Sequence, residues 1–311
     1  MKKILSLALV LVFALSCLVA CGGSNEYTLS IAVDNGFATV SGYKVTNLAL
    51  ALVTDSNGKI VAARFDSFEA SVDEDEGEIP TSDRLTTKVE LGELYPDMGA
   101  GHWFEQAAAF ENYIKGMTAE EVAALDTSAD KVGGDDPLIA GCTMISTTPA
   151  FQTLVAKAFA YERKVTFTTS EPITLGLAVD AKLTGDIEAG ATLSADYAAV
   201  AIAGDKVVAS MIDSASANYT FEYDEELEDY AVTASYAGTK NEQGDAYDIN
   251  DYVDPMPSGR WYQQAQRFAD TAVGKTVKEL SDLSTDKVTG SCTISTEGYK
   301  ATIVRAAGYA R

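Results

Sequence analysis

Cys21 is the residue whose neighbours define its chemistry most narrowly. It follows Leu18-Val19-Ala20 and precedes Gly22-Gly23-Ser24. Small residues let a signal peptidase approach, and the thiol then takes a diacylglyceryl group, which is the lipobox pattern. Upstream, Lys2 and Lys3 precede an apolar run from Ile4 to Ala20. That arrangement is the charged region and hydrophobic region of a secretory signal. A membrane span wants about 20 apolar residues, usually closed by a charged stop, whereas here small residues and Cys21 follow. The expectation is a signal peptide over residues 1–20 and a lipidated tether over 21–26. Two acyl chains of the palmitate kind hold a protein at a membrane, where one chain holds it weakly.

Two further segments gather a carboxylate, a glycine, a thiol and a hydroxyl. The first holds Asp136, Gly141, Cys142 and Thr143; the second holds Asp286, Gly290, Cys292 and Thr293. Read for fold alone, each is a glycine turn leading into a strand. The chain has four cysteines. With Cys17 in the signal and Cys21 lipidated, Cys142 and Cys292 remain as an exported pair. Their matching places in two repeats put them far apart, so free thiols are expected. Trp103 and Trp261 each open a helical pattern, as core residues or as the wall of a planar-ligand site. His102 is the single histidine, and Arg260 stands in its place in the second half. No His-based zinc site or Ser-His-Asp triad is therefore expected. The acidic runs at 69–78 and 222–229 lack calcium-loop spacing and read as solvated loops. No metal site is expected.

Such residues must be positioned by something, and the chain repeats itself. Thr28–Asp34 matches Thr174–Asp180, and Lys59–Ser67 matches Lys206–Ser214. Thr87-Lys88-Val-Glu90-Leu-Gly92-Glu93-Leu-Tyr95 matches Thr239-Lys240-Asn-Glu242-Gln-Gly244-Asp245-Ala-Tyr247. Trp103-Phe-Glu-Gln106-Ala107 matches Trp261-Tyr-Gln-Gln264-Ala265, and the two Gly-Cys-Thr segments complete the series. Five blocks recur in one order. The predicted organisation is two tandem homologous domains, 27–165 and 170–311, each near the modal domain size.

Within a repeat, short apolar runs at 27–34, 46–54 and 59–66 read as strands, as do 173–180, 196–203 and 206–213. Asn57-Gly58 and Gly204-Asp205 are the turns of a hairpin. Apolar residues three and four apart from Trp103 predict an amphipathic helix ending near Gly116. Thr118-x-x-Glu121 and Thr276-x-x-Glu279 are capping boxes, the first opening a helix over 119–125. Last helices are expected over 149–160 and 297–309. The fold class is α+β, each domain a small antiparallel sheet with packed helices.

The composition is 47% apolar, with 15 Tyr and 11 Phe, so a core can be built. The formal charge is −23; removing Lys2 and Lys3 makes it −25. Nucleic acid and anionic headgroups are poor partners for such a chain, and the membrane is reached through the lipid anchor alone.

The Gly-Cys-Thr segments, each ahead of a last helix, resemble the hallmark Asp-x-x-Ser-Gly-Ala-Thr-x-Thr-Ser of the FMN-binding domain family. That family is often duplicated in flavinylated surface lipoproteins of Gram-positive bacteria. The resemblance implies a covalent FMN on a threonine, added by a flavin transferase, and a surface electron-transfer partner. Carried over, it points to Thr143 with Gly141 and Asp136 in the first repeat, and to Gly290, Thr293 and Asp286 in the second. Trp103, Trp261, Phe104 and Tyr262 would lie against the cofactor. The first repeat has Ala140 and Cys142 where the family has Ser and Ala, with one extra residue after Asp136. In the second, Cys292 stands where the flavin-bearing threonine belongs. The alternative is a non-catalytic, duplicated ligand- or partner-binding lipoprotein. On either reading the chain is an electron carrier or binding protein rather than an enzyme.

Overall fold

A computed structural model describes residues 24–41, 43–72, 79–225, 229–247, 259–285 and 294–311. It is α+β, with two antiparallel sheets and helices on their outer faces. The first sheet has the order β3-β2-β1-β5. It is built from β1 (Asn25–Val33), β2 (Lys44–Asp55), β3 (Ile60–Ser71) and β5 (Val165–Thr169). The second has the order β4-β6-β7-β8-β9. Its strands are β4 (Ser82–Leu85), β6 (Ile173–Asp186), β7 (Gly190–Ala203), β8 (Lys206–Asp224) and β9 (Asp229–Tyr236).

The sheets lie face to face. Leu29, Ile31 and Val53 of the first sheet share one core with Leu175, Leu193 and Tyr197 of the second. Helices α2 (Trp103–Tyr113) and α5 (Thr147–Ala160) cover the outer face of the first sheet, packing on Leu50, Leu52 and Phe65. Helices α7 (Trp261–Asp270) and α9 (Glu297–Gly308) cover the second, on Val200 and Ile212. The order of layers is helix, sheet, sheet, helix. Central strands are thus buried on both faces, and Leu48–Val53 is an unbroken buried run. That is why these strands read as continuous apolar segments without alternation.

The hairpin turns form where glycine permits them. Gly58 has φ 72° and Gly204 φ 62°, and the Asp55 carboxylate accepts from the N–H groups of Asn57 and Lys59 across the first turn. Short helices α1 (Lys88–Leu91) and α6 (Lys240–Gln243) start from capping boxes, Thr87 with Glu90 and Thr239 with Glu242. Helices α3 (Ala119–Ala123) and α8 (Val277–Leu280) open with the boxes at Thr118 and Thr276. A further turn, α4, spans Ala129–Gly133. Among the described residues no helix is long and apolar enough to cross a membrane.

Some boundaries differ from the sequence expectation. Strands β3 and β8 do not stop at Asp66 and Asp213 but run on to Ser71 and Asp224. The polar residues beyond each aspartate find cross-strand partners in β2 and β9. Helix α5 starts two residues earlier than expected, at Thr147, and α9 ends one residue earlier, at Gly308. The last helices also reach across. The Tyr161 hydroxyl, just past α5, donates to Asp213 Oδ2 at 3.1 Å. Reciprocally, the Tyr309 hydroxyl past α9 donates to Glu90 Oε1 at 3.1 Å.

Candidate functional site

Two buried aspartates occupy equivalent registers, Asp66 opposite Ala49 and Asp213 opposite Tyr197. Asp66 Oδ1 accepts from the N–H groups of Ser67 at 2.8 Å and Val89 at 3.2 Å. Asp213 Oδ1 accepts from Ser214 at 2.8 Å and Asn241 at 3.1 Å. Each carboxylate therefore holds the first turn of a short helix, where negative charge is favoured. Burial pushes Asp66 up to about 7, against the Thr87 hydroxyl and the two N–H groups. Burial pushes Asp213 up to about 6 against the same kinds of donor, including Tyr161. The Oδ1 partners are backbone groups, whereas Asp66 Oδ2 is buried without a hydrogen-bond partner among the described residues.

A cleft of about 440 Å³ opens beside Ser67 on the helix-covered face. Its floor is the register position where Asp34 and Ser67 flank Leu48. One wall is Lys88, Tyr95 and Trp103, and the other is Ser146, Thr147 and Ala150 at the start of α5. Lys88 is buried, pairs with Glu69 at 2.7 Å, and lies 4.7 Å over the Tyr95 ring. The Tyr95 hydroxyl donates to Glu69 Oε1 at 3.0 Å. Burial alone would raise Glu69, but Lys88 and Tyr95 prevail and hold its carboxyl below the usual range. Asp34 goes the other way. Burial raises it, although its Oδ1 accepts from Gly36, Leu48 and Asn47. The volume lies within the range of small-molecule sites, which combine apolar walls with a few placed polar groups.

The second half has a counterpart at the same register, where Asp180 faces Asp196 and Asp196 faces Ser214. A cavity of about 190 Å³ lies there, lined by Asp180, Ser194, Asp196 and Gly298 but not by Ser214, Lys240, Tyr247 or Trp261. Asp196 stands where the first half has Leu48, and Arg305 and Arg84 both pair with Asp180. Burial raises Asp196 against a hydrogen bond from Ser214. Lys240 repeats the cation–aromatic stack of Lys88, 5.2 Å from Tyr247 and 5.0 Å from Trp261.

The residues singled out in the sequence fall around the first cleft without all entering it. Thr143 is half-buried; its N–H donates to Gln106 Oε1 at 2.8 Å and its hydroxyl to the same oxygen at 3.3 Å. Gln106 is fully buried and donates in turn to the Gly101 carbonyl. Gly141 turns the chain with φ 81°, and Asp136 is exposed. Cys142 is a free, buried thiol, raised by burial against Thr148, so it is protonated and inert. Thr143 stands four residues before the first residue of the fourteen-residue α5, with its hydroxyl engaged by Gln106. The aromatic wall expected for a flavin ring there does not assemble. Trp103 and Trp261 are 1% and 2% exposed, locked in their cores by edge contacts with Phe151 and Tyr299. Phe104 stacks on His102, and Tyr262 lies under Arg163 at 4.5 Å. Cys21, Asp286, Gly290, Cys292 and Thr293 lie outside the described residues. Among the described residues no group of three or more His, Cys, Asp or Glu side chains is placed to hold a metal ion.

Asp34, Lys88 and Tyr95 were not singled out by their chemistry, although each belongs to a repeated block with Asp180, Lys240 and Tyr247 as partners. Comparison with protein-family models, with curated proteins and with solved structures finds no match.

Proposed function

We propose that the chain is an extracytoplasmic lipoprotein, anchored through Cys21, that binds a small ligand in the cleft of its first half. On this reading the chain is a tandem duplication of one α+β unit, with the two units sharing the inter-sheet core. One observation carries the proposal: the 440 Å³ cleft, where the Lys88–Glu69–Tyr95 cluster meets Asp34 and the start of α5. The machinery for bond cleavage does not converge there. Glu69 is held by Lys88 and Tyr95, and Asp34 by backbone and Asn47. Binding rather than turnover is what this arrangement supports.

A second reading has a specific observation behind it: the half-buried Thr143 hydroxyl near the N-terminus of α5. It makes the chain a carrier of covalent FMN, loaded by a flavin transferase and serving a surface electron-transfer partner. The flavin would supply the redox chemistry when bound. Gln106 would hold the loop, and Ser146 and Thr147 would line the approach.

Native mass spectrometry of the protein extracted from its own membrane tests both. The binding reading expects a diacylglyceryl mass on Cys21 and a ligand that denaturation releases and Lys88→Ala weakens. The flavin reading expects an adduct that survives denaturation, absorbs visible light and vanishes in Thr143→Ala. An unlipidated protein would sink the anchor. A lipidated protein without either adduct would sink both ligand readings.

A further inference from the structure

The two halves differ in what meets one repeated aspartate. Asp180, facing Asp196 across the second sheet, is held by two guanidinium groups, Arg84 from β4 at 3.2 Å and Arg305 from α9 at 3.0 Å. Asp34 is its counterpart in the first half, and it has no ion pair among the described residues. Two differences leave it open. Strand β5 runs beside β1 only over Asn25–Leu29, so it brings no residue to Asp34 as β4 brings Arg84 to Asp180. Lys157 stands six residues after Phe151, as Arg305 stands six after Tyr299, but it turns to Glu242 and the Val33 carbonyl instead. The half-buried Asp34 lines the 440 Å³ cleft. Its Oδ1 accepts from Gly36, Leu48 and Asn47, whereas Oδ2 has no partner among the described residues. Register sets the direction of the side chain. Asp34 stands across from Leu48, and Leu48 from Ser67, in the row whose Leu48 packs under the helices.

We propose that the cleft of the first half seats a small organic cation, an alkylguanidinium or alkylammonium group, paired with the Asp34 carboxylate where Arg84 and Arg305 fill the equivalent position in the second half. This rests on the ligand-binding reading above and names its chemistry. Two carboxylates line the cleft, Asp34 and Glu69, against one ammonium, Lys88, so an incoming monocation brings the lining to neutrality. Lys88 is a prop rather than a seat. Paired with Glu69 and laid over the Tyr95 ring, it holds that wall in place. The Thr46 and Ser67 hydroxyls can accept from the ligand's remaining N–H groups. Leu48, Met98 and Ala150 supply apolar contact for its alkyl chain. A chain carrying −23 draws cations to such a cleft and repels anions.

The test is isothermal titration calorimetry on the mature chain. Agmatine and butylguanidinium are the cationic probes, and butylurea is the neutral isostere of the second. The expected result is saturable binding of both cations at one site, weakened by added salt, with butylurea at least about tenfold weaker. Asp34→Asn keeps an oxygen for the donors of Gly36, Leu48 and Asn47 but removes the charge, and should weaken the cations at least about tenfold. Asp180→Asn, at the equivalent position of the second half, should leave their binding unchanged. Ala150→Leu, which fills the cleft from α5, should abolish it and covers the case in which Asp34→Asn misfolds. Three results would overturn the proposal: no binding of either cation, butylurea bound as well as butylguanidinium, or undiminished binding in Ala150→Leu. If cations fail but the ligand co-purified from the native membrane is displaced by Ala150→Leu, the cleft survives and the cation class falls. If Ala150→Leu displaces nothing, the cleft reading falls as well.

Discussion

Replacing Asp66 by asparagine should remove the pH dependence of stability that this buried carboxylate imposes. An aspartate ordinarily titrates at 3.8, and burial raises Asp66 to about 7. Between those values the folded state holds a proton that the unfolded chain has released. Stability therefore falls as pH rises through that window, at up to about 1.4 kcal/mol per pH unit. The shift of roughly three units corresponds to about 4 kcal/mol, fully lost above pH 7 and fully recovered below 4. Asparagine keeps an oxygen to accept from Ser67 and Val89 and carries no charge. Urea unfolding of wild type and Asp66→Asn at pH 4, 5, 6, 7 and 8 would measure the difference. The gap between variant and wild type should move by about 4 kcal/mol in the variant's favour from the acid to the alkaline end. Parallel curves would show that Asp66 does not carry a proton in the folded state at neutral pH, and would refute the reasoning. Asp213, raised to about 6, should behave alike over a narrower window in Asp213→Asn.

Arg64 ties the halves together: its Nη1 pairs with the buried Glu111 at 2.8 Å, its Nε donates to the Leu175 carbonyl at 3.0 Å, and it also meets the Arg311 carbonyl. Arg64→Met leaves Glu111 only the longer pair with Arg311 at 3.5 Å and the Phe65 N–H, so unfolding measurements should show a loss of up to about 3 kcal/mol, with Arg64→Met/Glu111→Leu recovering much of it; a double variant no better than the single would contradict this. At Gly176 a Cβ would stand 1.7 Å from the Ala306 carbonyl oxygen. Gly176→Ala should therefore lift α9 off β6 and lower the melting temperature sharply, and an unchanged melt would refute that close approach.

Much of the architecture was legible because it is local. The Asn57-Gly58 turn, the capping boxes at Thr118 and Thr276 and the helix opening at Trp103 depend on residues within one turn of each other, and the structure has each of them. The same kind of pattern at Thr87 and Thr239 was present but was matched only as a repeat. Internal repetition likewise paired Asp34 with Asp180 and Lys88 with Lys240 by sequence alone. What sequence could not decide was which faces meet. A strand such as Leu48–Val53 is apolar throughout, and the reason is that sheet packs on one side and helix on the other. Only that stacking buries Asp66 and Asp213 in mid-strand and brings Tyr161 to Asp213 from 52 residues away. It also leaves the Trp103 indole N–H buried without a hydrogen-bond partner among the described residues. Local chemistry was written along the chain; the partner of each buried polar group was decided by packing, because desolvation acts on groups that only the fold brings together.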